Sequence, residues 1–363
     1  MLRNSINNIY RQTYAEINLS NMYQNYKNID YLLKDKKVIA VVKANAYGHG
    51  VIEVVTYLVK QKVDYFAVSL LEEALQIRNY FENVEILVMG VVERKYFDIA
   101  AKNNITLTVS NADHLKKLSE LNNTLKVHIN IDTGMNRLGF KSEKDILIAF
   151  NILNSCKSVL LEGIYTHFST ADSNEEYYRV QLNRFKYIYE LINYDFKMVH
   201  VSNSSSSIKY EADIAFTTHT RLGISLYGLT LDSETKFLLN TYRLISHISQ
   251  IKYLEPGDKV GYGATYTAIA KEIIGVVPIG YADGFIRKNQ GGDVEINGKR
   301  YKIIGRICMD QMFIKIDESI SKTDKVILFG NLVTIDEVAN RLNTINYEII
   351  CQITYRVPKI YIK

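Results

Sequence analysis

Val38-Ile39-Ala40-Val41-Val42-Lys43-Ala44-Asn45-Ala46-Tyr47-Gly48-His49-Gly50 is an apolar run that ends on one lysine and passes into a small, glycine-containing loop. An unbroken run of small and β-branched residues reads as a strand covered on both faces. In a barrel of parallel strands, active groups collect at the carboxyl ends, which is where Lys43 stands. Among apolar neighbours the charged form of a lysine loses hydration. Its pKa falls, and the neutral amine can attack a carbonyl.

Working outward, the runs Val38–Val42, Tyr65–Val68, Glu85–Val88, Ile105–Val109, Lys126–Ile131, Val159–Tyr165, Met198–Val201 and Ile214–Phe216 alternate with helix-like segments. Ser69-Leu70-Leu71-Glu72-Glu73 and Ser110-Asn111-Ala112-Asp113 each open with a capping residue, and Asn174–Tyr194 has apolar positions at helical spacing. Eight strands alternating with helices is the count of a closed (β/α)8 TIM-type barrel. An open doubly wound sheet is the competitor, and it lacks the Gly-x-Gly-x-x-Gly that a dinucleotide fold carries after its first strand.

Beyond Lys236 the texture changes. Ile273–Ile279, Val294–Ile296, Tyr301–Ile307, Met312–Ile316 and Val326–Phe329 are separated by turn signals such as Glu255-Pro256-Gly257-Asp258 and Asn297-Gly298. Only Thr334–Leu342 and Tyr347–Cys351 read as helical there. The expected class is α/β plus all-β, with a barrel over 12–237 and a β-rich domain over 238–363 on which residues 1–11 pack.

The 363 residues suit two domains, with 47% hydrophobic and 23% charged residues as in ordinary soluble proteins. Net charge is +5 without a basic block, which excludes a nucleic-acid tail and suits a small anionic ligand. No run is long and apolar enough for a membrane span, and Met1-Leu2-Arg3-Asn4-Ser5 lacks a signal-peptide core. Cys156, Cys308 and Cys351 form neither a disulfide framework nor a metal-ligand spacing, so a reducing cytoplasm and no metal are expected.

Further motifs follow later strands. Ile131-Asp132-Thr133-Gly134-Met135-Asn136-Arg137-Leu138-Gly139-Phe140 presents an arginine, a planar fork of donors for an anion, with small and apolar neighbours that imply partial burial. Tyr165-Thr166-His167-Phe168 places a histidine after the sixth strand. His200-Val201-Ser202-Asn203-Ser204 and Arg221-Leu222-Gly223-Ile224 supply a hydroxyl and backbone N–H groups where such barrels bind phosphate. Val260-Gly261-Tyr262-Gly263 sets one tyrosine between glycines.

These motifs, in this order and over nearly the whole chain, resemble alanine racemase, a pyridoxal phosphate (PLP) enzyme of barrel-plus-β-domain type. The resemblance implies that Lys43 carries the cofactor covalently and that Tyr47, Ser204, Gly223, Ile224 and Tyr355 hold its phosphate. It implies that Arg221 donates to the pyridine nitrogen, where other PLP enzymes place a carboxylate. Arg137 and the Met309 N–H then meet the substrate carboxylate. Lys43 and Tyr262 from the partner of a homodimer are the two bases, and His167 links Tyr262 to Arg221.

Tyr281 gates an entrance corridor in the stretch that ends at Arg287, and Asp310 follows Met309 in its motif, while Asn203 leads into Ser204. Cys308 reads as packing. Three departures from the family pattern stand out, one of them Ser202 with the serine run after Asn203, which is more polar than usual. Asn130 stands where well-known members carry a carbamylated lysine, so another anion such as chloride is expected beside Arg137. Gly261 stands where serine is common. The implied activity is interconversion of L-alanine and D-alanine, supplying D-alanine for the bacterial cell wall. A serine or broad-specificity racemase, a basic-amino-acid decarboxylase and a non-catalytic PLP-carrier barrel are the alternatives.

Overall fold

The computed structural model describes residues 10–34, 36–116, 118–230 and 237–363. Residues 1–9, on which part of the expected N-terminal placement falls, and residues 231–236 lie outside the described residues. The chain forms two compact units. One holds residues 10–22, Tyr47–Gly50 and Leu239–Lys363; the other holds the described residues of Tyr23–Ala46 and Val51–Leu238.

The first strand, β1 (Tyr14–Asn18), belongs with the C-terminal strands and escaped the sequence reading. The second unit is a parallel barrel of eight strands: β2 (Lys37–Val41), β3 (Tyr65–Val68), β4 (Glu85–Val88), β5 (Thr106–Val109), β6 (Leu125–Asn130), β7 (Val159–Tyr165), β8 (Met198–His200) and β9 (His219–Leu222). From β2 to β8 each strand pairs in parallel with the next, and β9 pairs in parallel with β2. The ring closes where Thr218 N–H donates to Val199 O at 3.0 Å. Strands covered on both faces are buried along their length, as β3 and β5 are at every position.

The eighth strand is a correction. Ile214 ends a short 3₁₀ turn, and the strand is His219-Thr220-Arg221-Leu222. Three of its four residues are polar, and Arg221 among them turns its guanidinium onto barrel carbonyls, so hydrophobicity pointed to the wrong triplet. A second correction concerns Ser69, which caps nothing with its side chain. Glu73 reaches back instead, its carboxylate accepting from Ser69 N–H (2.9 Å) and Leu70 N–H (3.1 Å). Asn111 and Asn174 do cap their helices, through His114 N–H and Tyr177 N–H. The helix Glu175–Ile192 turns Tyr178, Leu182, Phe185 and Ile188 inward at helical spacing and stops at Asn193, which is left-handed.

In the other unit a mixed nine-stranded sheet takes the remaining long strands. These are β10 (Tyr242–His247), β11 (Gln250–Leu254), β14 (Glu272–Val277), β15 (Asp293–Ile296), β16 (Lys299–Ile304), β17 (Met312–Ile316), β18 (Lys325–Phe329) and β19 (Lys359–Ile362); the two-residue pair β12 (Lys259–Val260) and β13 (Tyr266–Thr267) stands apart. Their order is β11-β14-β17-β16-β15-β18-β10-β1-β19. β1 is inserted between β10, antiparallel, and β19, parallel. Arg11, just ahead of it, holds the fully buried Asp283 through two bonds of 2.9 Å.

Gly330 ends β18 at φ +99°, and a Cβ there would lie 2.1 Å from Tyr242 O. Both the backbone angle and a rigid carbonyl reject a side chain. Gly330→Ala is therefore expected to lower unfolding free energy by about 2–3 kcal/mol, read from urea unfolding. A loss below about 0.5 kcal/mol would contradict the close approach.

Candidate active site

Lys43 follows β2 directly, and the four residues after it, Ala44 to Tyr47, all have positive φ between 49° and 55°. Such a left-handed turn costs L-residues roughly 1–2 kcal/mol each, so neighbours must hold it. Ala44 N–H donates to Glu73 Oε1 at 2.6 Å, Ala46 N–H to Val42 O at 2.9 Å, and Asn45 Oδ1 accepts from Val51 N–H at 2.8 Å. Glu73 thus ties the backbone beside Lys43 to the loop after β3. Sequence reasoning gave it no site role; its place three residues into a helix was the available signal.

A cavity of about 260 Å³ opens at the carboxyl ends of the barrel strands. Lys43, Asn130, Arg137, Tyr165 and His167 are among its lining residues. Arg137 is exposed rather than partly buried, a correction to the sequence reading. Its loop is shaped by the buried Asp132, whose Oδ1 accepts from Gly134 N–H and Asn136 N–H at 3.0 Å, and the loop holds the arginine out into solvent. Asp132 is the sole carboxylate among the lining residues, and its Oδ1 serves the backbone of the Arg137 loop.

Arg221 on β9 is 2% exposed. One terminal nitrogen donates to His200 Nδ1 (2.6 Å) and His200 O (2.8 Å). The other donates to Thr166 O (2.7 Å), Val201 O (3.2 Å) and His167 Nδ1 (3.3 Å). None of these bonds uses Nε. The guanidinium also lies 5.2 Å over the Tyr165 ring, which stacks on His200 at 4.7 Å. Burial, with Arg137 nearby, takes the guanidinium down to about 10, so it stays charged at neutral pH. Loss of hydration and the neighbouring cations hold His167 and His200 well below the ordinary histidine value. His200 was quoted in sequence only as the start of a loop; its alignment with Arg221 appears once the strands close.

Ser204 is buried at the start of a short helix capped by Asn203, whose Oδ1 accepts from Ser206 N–H at 3.0 Å. Ser204 Oγ accepts from Gly223 N–H (3.1 Å) and Ser225 N–H (3.3 Å), which leaves its hydroxyl proton to donate. Ile224 N–H donates to no acceptor among the described residues. These donors fit a phosphate, and the unused Arg221 Nε–H fits an unprotonated ring nitrogen. The barrel residues therefore fit PLP.

The remaining expected residues lie in the other unit. Tyr47 is buried and tilted against Tyr347 at 6.0 Å. Gly48 beside it has φ +79°, with Ile350 O where a Cβ would fall. Tyr262, Tyr281, Met309 and Tyr355 are exposed, as is Arg287, and Met309 N–H has no acceptor among the described residues. Gly261 and Gly263 both have φ +72°, and a Cβ on Gly263 would meet the Arg306 guanidinium at 2.6 Å, so a side chain at either position would strain the backbone. Asp310 pairs with Arg356 at 2.6 Å. The half-buried Cys308 is pushed up by burial and stays a thiol.

The family model "Alanine racemase, N-terminal domain" matches residues 17–231, and "Alanine racemase, C-terminal domain" matches 241–361. The alanine racemase of Anoxybacillus flavithermus is 40% identical over 98% of this chain and 96% of its own length. The chain belongs to the alanine racemase family. It is an amino-acid racemase of the barrel-plus-β type. The solved alanine racemase from Bacillus anthracis has a TM-score of 0.91 at 35% identity, covering 98% of this chain and 96% of that one. A histidine racemase from Leuconostoc mesenteroides reaches 0.90 at 27% identity, covering 99% and 100%. No helix among the described residues is long and apolar enough to cross a membrane.

Acid should destabilise this racemase. His167 and His200 are neutral when folded, whereas an unfolded histidine takes a proton below about pH 6.5. Below that pH the unfolded chain binds more protons, so stability falls as pH falls, by roughly 1.4 kcal/mol per pH unit for each imidazole. Urea midpoints at about pH 7.5 and about pH 5.5 read this directly, the lower one expected at the lower pH; equal midpoints would refute it.

Proposed function

We propose that this racemase interconverts L-alanine and D-alanine with PLP attached at Lys43, in a site completed by Tyr262 of the partner subunit, and that the D-alanine serves cell-wall synthesis. The observation that carries the reading is Arg221: its terminal nitrogens are spent on five protein acceptors while Nε–H remains for a ring nitrogen. Bound PLP supplies an electron-accepting ring that acidifies the Cα–H of an amino acid joined to it.

Around it, Ser204 and the Ile224 N–H bind the phosphate, with Gly223, Tyr47 and Tyr355 beside them. Arg221 is a permanent donor and has no proton to give the ring nitrogen, which favours rapid proton exchange at Cα over chemistry that stores charge in the ring. Arg137 and the Met309 N–H hold the substrate carboxylate. Lys43 Nζ takes or returns the Cα proton on one face, and Tyr262 of the partner subunit does so on the other. His167 accepts from Arg221 on Nδ1 and so carries its proton on Nε2, which orients it to hydrogen-bond that tyrosine. Tyr281 and Arg287 line the approach, with Asp310 beside Met309 in its motif. A base on each face is what inversion requires.

With purified, PLP-loaded protein, L-alanine is expected to lose optical rotation faster than L-serine or L-histidine. Faster turnover of either would replace the reading by a broad-specificity racemase. Lys43→Ala should abolish the visible absorbance of bound cofactor and lower kcat by at least about 10²–10⁴-fold; retention of both would remove Lys43 from its role.

Asn130 offers no charge opposite Arg137, so an anion is proposed there. Replacing chloride by a bulky, weakly coordinating anion should raise KM for alanine at unchanged protein stability. An identical KM in both salts would refute the anion.

A further inference from the structure

Beneath the cavity, a line of buried groups crosses the barrel interior away from Arg221. His200 Nε2 lies 2.8 Å from His128 Nδ1, His128 Nε2 lies 3.5 Å from Glu162 Oε2, and Glu162 Oε1 accepts from Lys197 Nζ at 2.7 Å. His128 and His200 are fully buried, Glu162 is 3% exposed, and Lys197 reaches solvent. The hydrogen-bond grammar allows one direction. Arginine can only donate, so His200 accepts on Nδ1 and carries its proton on Nε2. That proton goes to His128 Nδ1, which leaves the His128 proton on Nε2, facing the carboxylate.

We propose that Glu162, at the far end of this line, is a positioning residue for Arg221. It anchors the chain of imidazole protons that presents His200 Nδ1 as an acceptor and so fixes the guanidinium. The proposal deepens the reading of Arg221 as the ring-nitrogen donor and rests on it; the proton positions do not. A carboxylate is needed because donors arrive from both sides, Lys197 and His128. Burial alone would push the Glu162 carboxyl up, but the His128 imidazole beside it and the Lys197 hydrogen bond outweigh it and hold it at about 2.

Glutamine has one oxygen. In Glu162→Gln the Lys197 ammonium takes that oxygen, and the amide NH₂ is turned onto His128. That would reverse both imidazoles and set an Nδ1–H of His200 against Arg221. Adding Lys197→Met frees the amide oxygen for His128 and restores the original direction.

The test combines spectra and kinetics. With seven histidines in the chain, ¹⁵N-histidine spectra of the wild-type protein, with and without PLP, should show His128 and His200 as neutral Nε2–H tautomers. Glu162→Gln should move both sets of resonances and lower kcat about tenfold, with KM for alanine within about twofold. Glu162→Gln/Lys197→Met should recover most of that loss.

Nδ1–H on either ring of the wild type would overturn the proposal, and this spectrum decides even if Glu162→Gln does not fold. Unmoved resonances in Glu162→Gln, or no recovery in the folded double variant, would also overturn it. Moved resonances with wild-type kcat would reject the positioning role while leaving the line of protons intact. Failure of alanine turnover in the wild type would instead fall on the reading of the site.

Discussion

A permanent cation inside a closed barrel is the constraint around which the rest is arranged. Arg221 is 2% exposed and cannot shed its proton at neutral pH, so the barrel must supply acceptors in place of water. Three are carbonyls at or just beyond the ends of β7 and β8, from Thr166, His200 and Val201. The others are imidazoles that must stay neutral to accept, which their burial beside the cation enforces. The cation and the two histidines therefore specify each other's protonation. The same bonds involve only the terminal nitrogens and leave Nε out.

A second constraint lies in the backbone after Lys43. Four successive left-handed residues are an expensive way to leave a strand, and only Gly48 among the five positive-φ residues from Ala44 lacks a Cβ. Glu73 meets part of the cost by accepting the Ala44 N–H, and Asn45 Oδ1 ties the turn to the next helix by accepting the Val51 N–H. The gain is that Lys43 stays at the strand end while the chain moves at once to Tyr47, buried against Tyr347. Strain of this kind persists where function requires it.

Much of this was legible in sequence, for identifiable reasons. Seven barrel strands carry enough apolar and β-branched residues to announce themselves by composition, and the order of the loop motifs pointed to one family. The eighth strand was misplaced onto Ile214–Phe216 because three of the four residues of His219-Thr220-Arg221-Leu222 are polar, against the usual pattern of a barrel strand. β1 was missed because its partners, β10 and β19, lie more than two hundred residues away, and nothing local marks that pairing. Arg137 was expected to be half-covered from its small neighbours, yet Asp132 folds the loop so that it projects. His200, His128 and Glu162 were invisible as a set, since register alone aligns them.

If each site takes its amine from one chain and its phenol from another, two inactive variants can repair one another. Lys43→Ala and Tyr262→Ala proteins, unfolded together and refolded as an equimolar mixture with PLP, would form mixed dimers with one intact site apiece. Alanine racemisation in that mixture should reach about a quarter of the wild-type rate, from statistical pairing in which half the dimers are mixed. A mixture as inactive as its components, with mixed dimers present, would place both groups on a single chain and contradict the shared site.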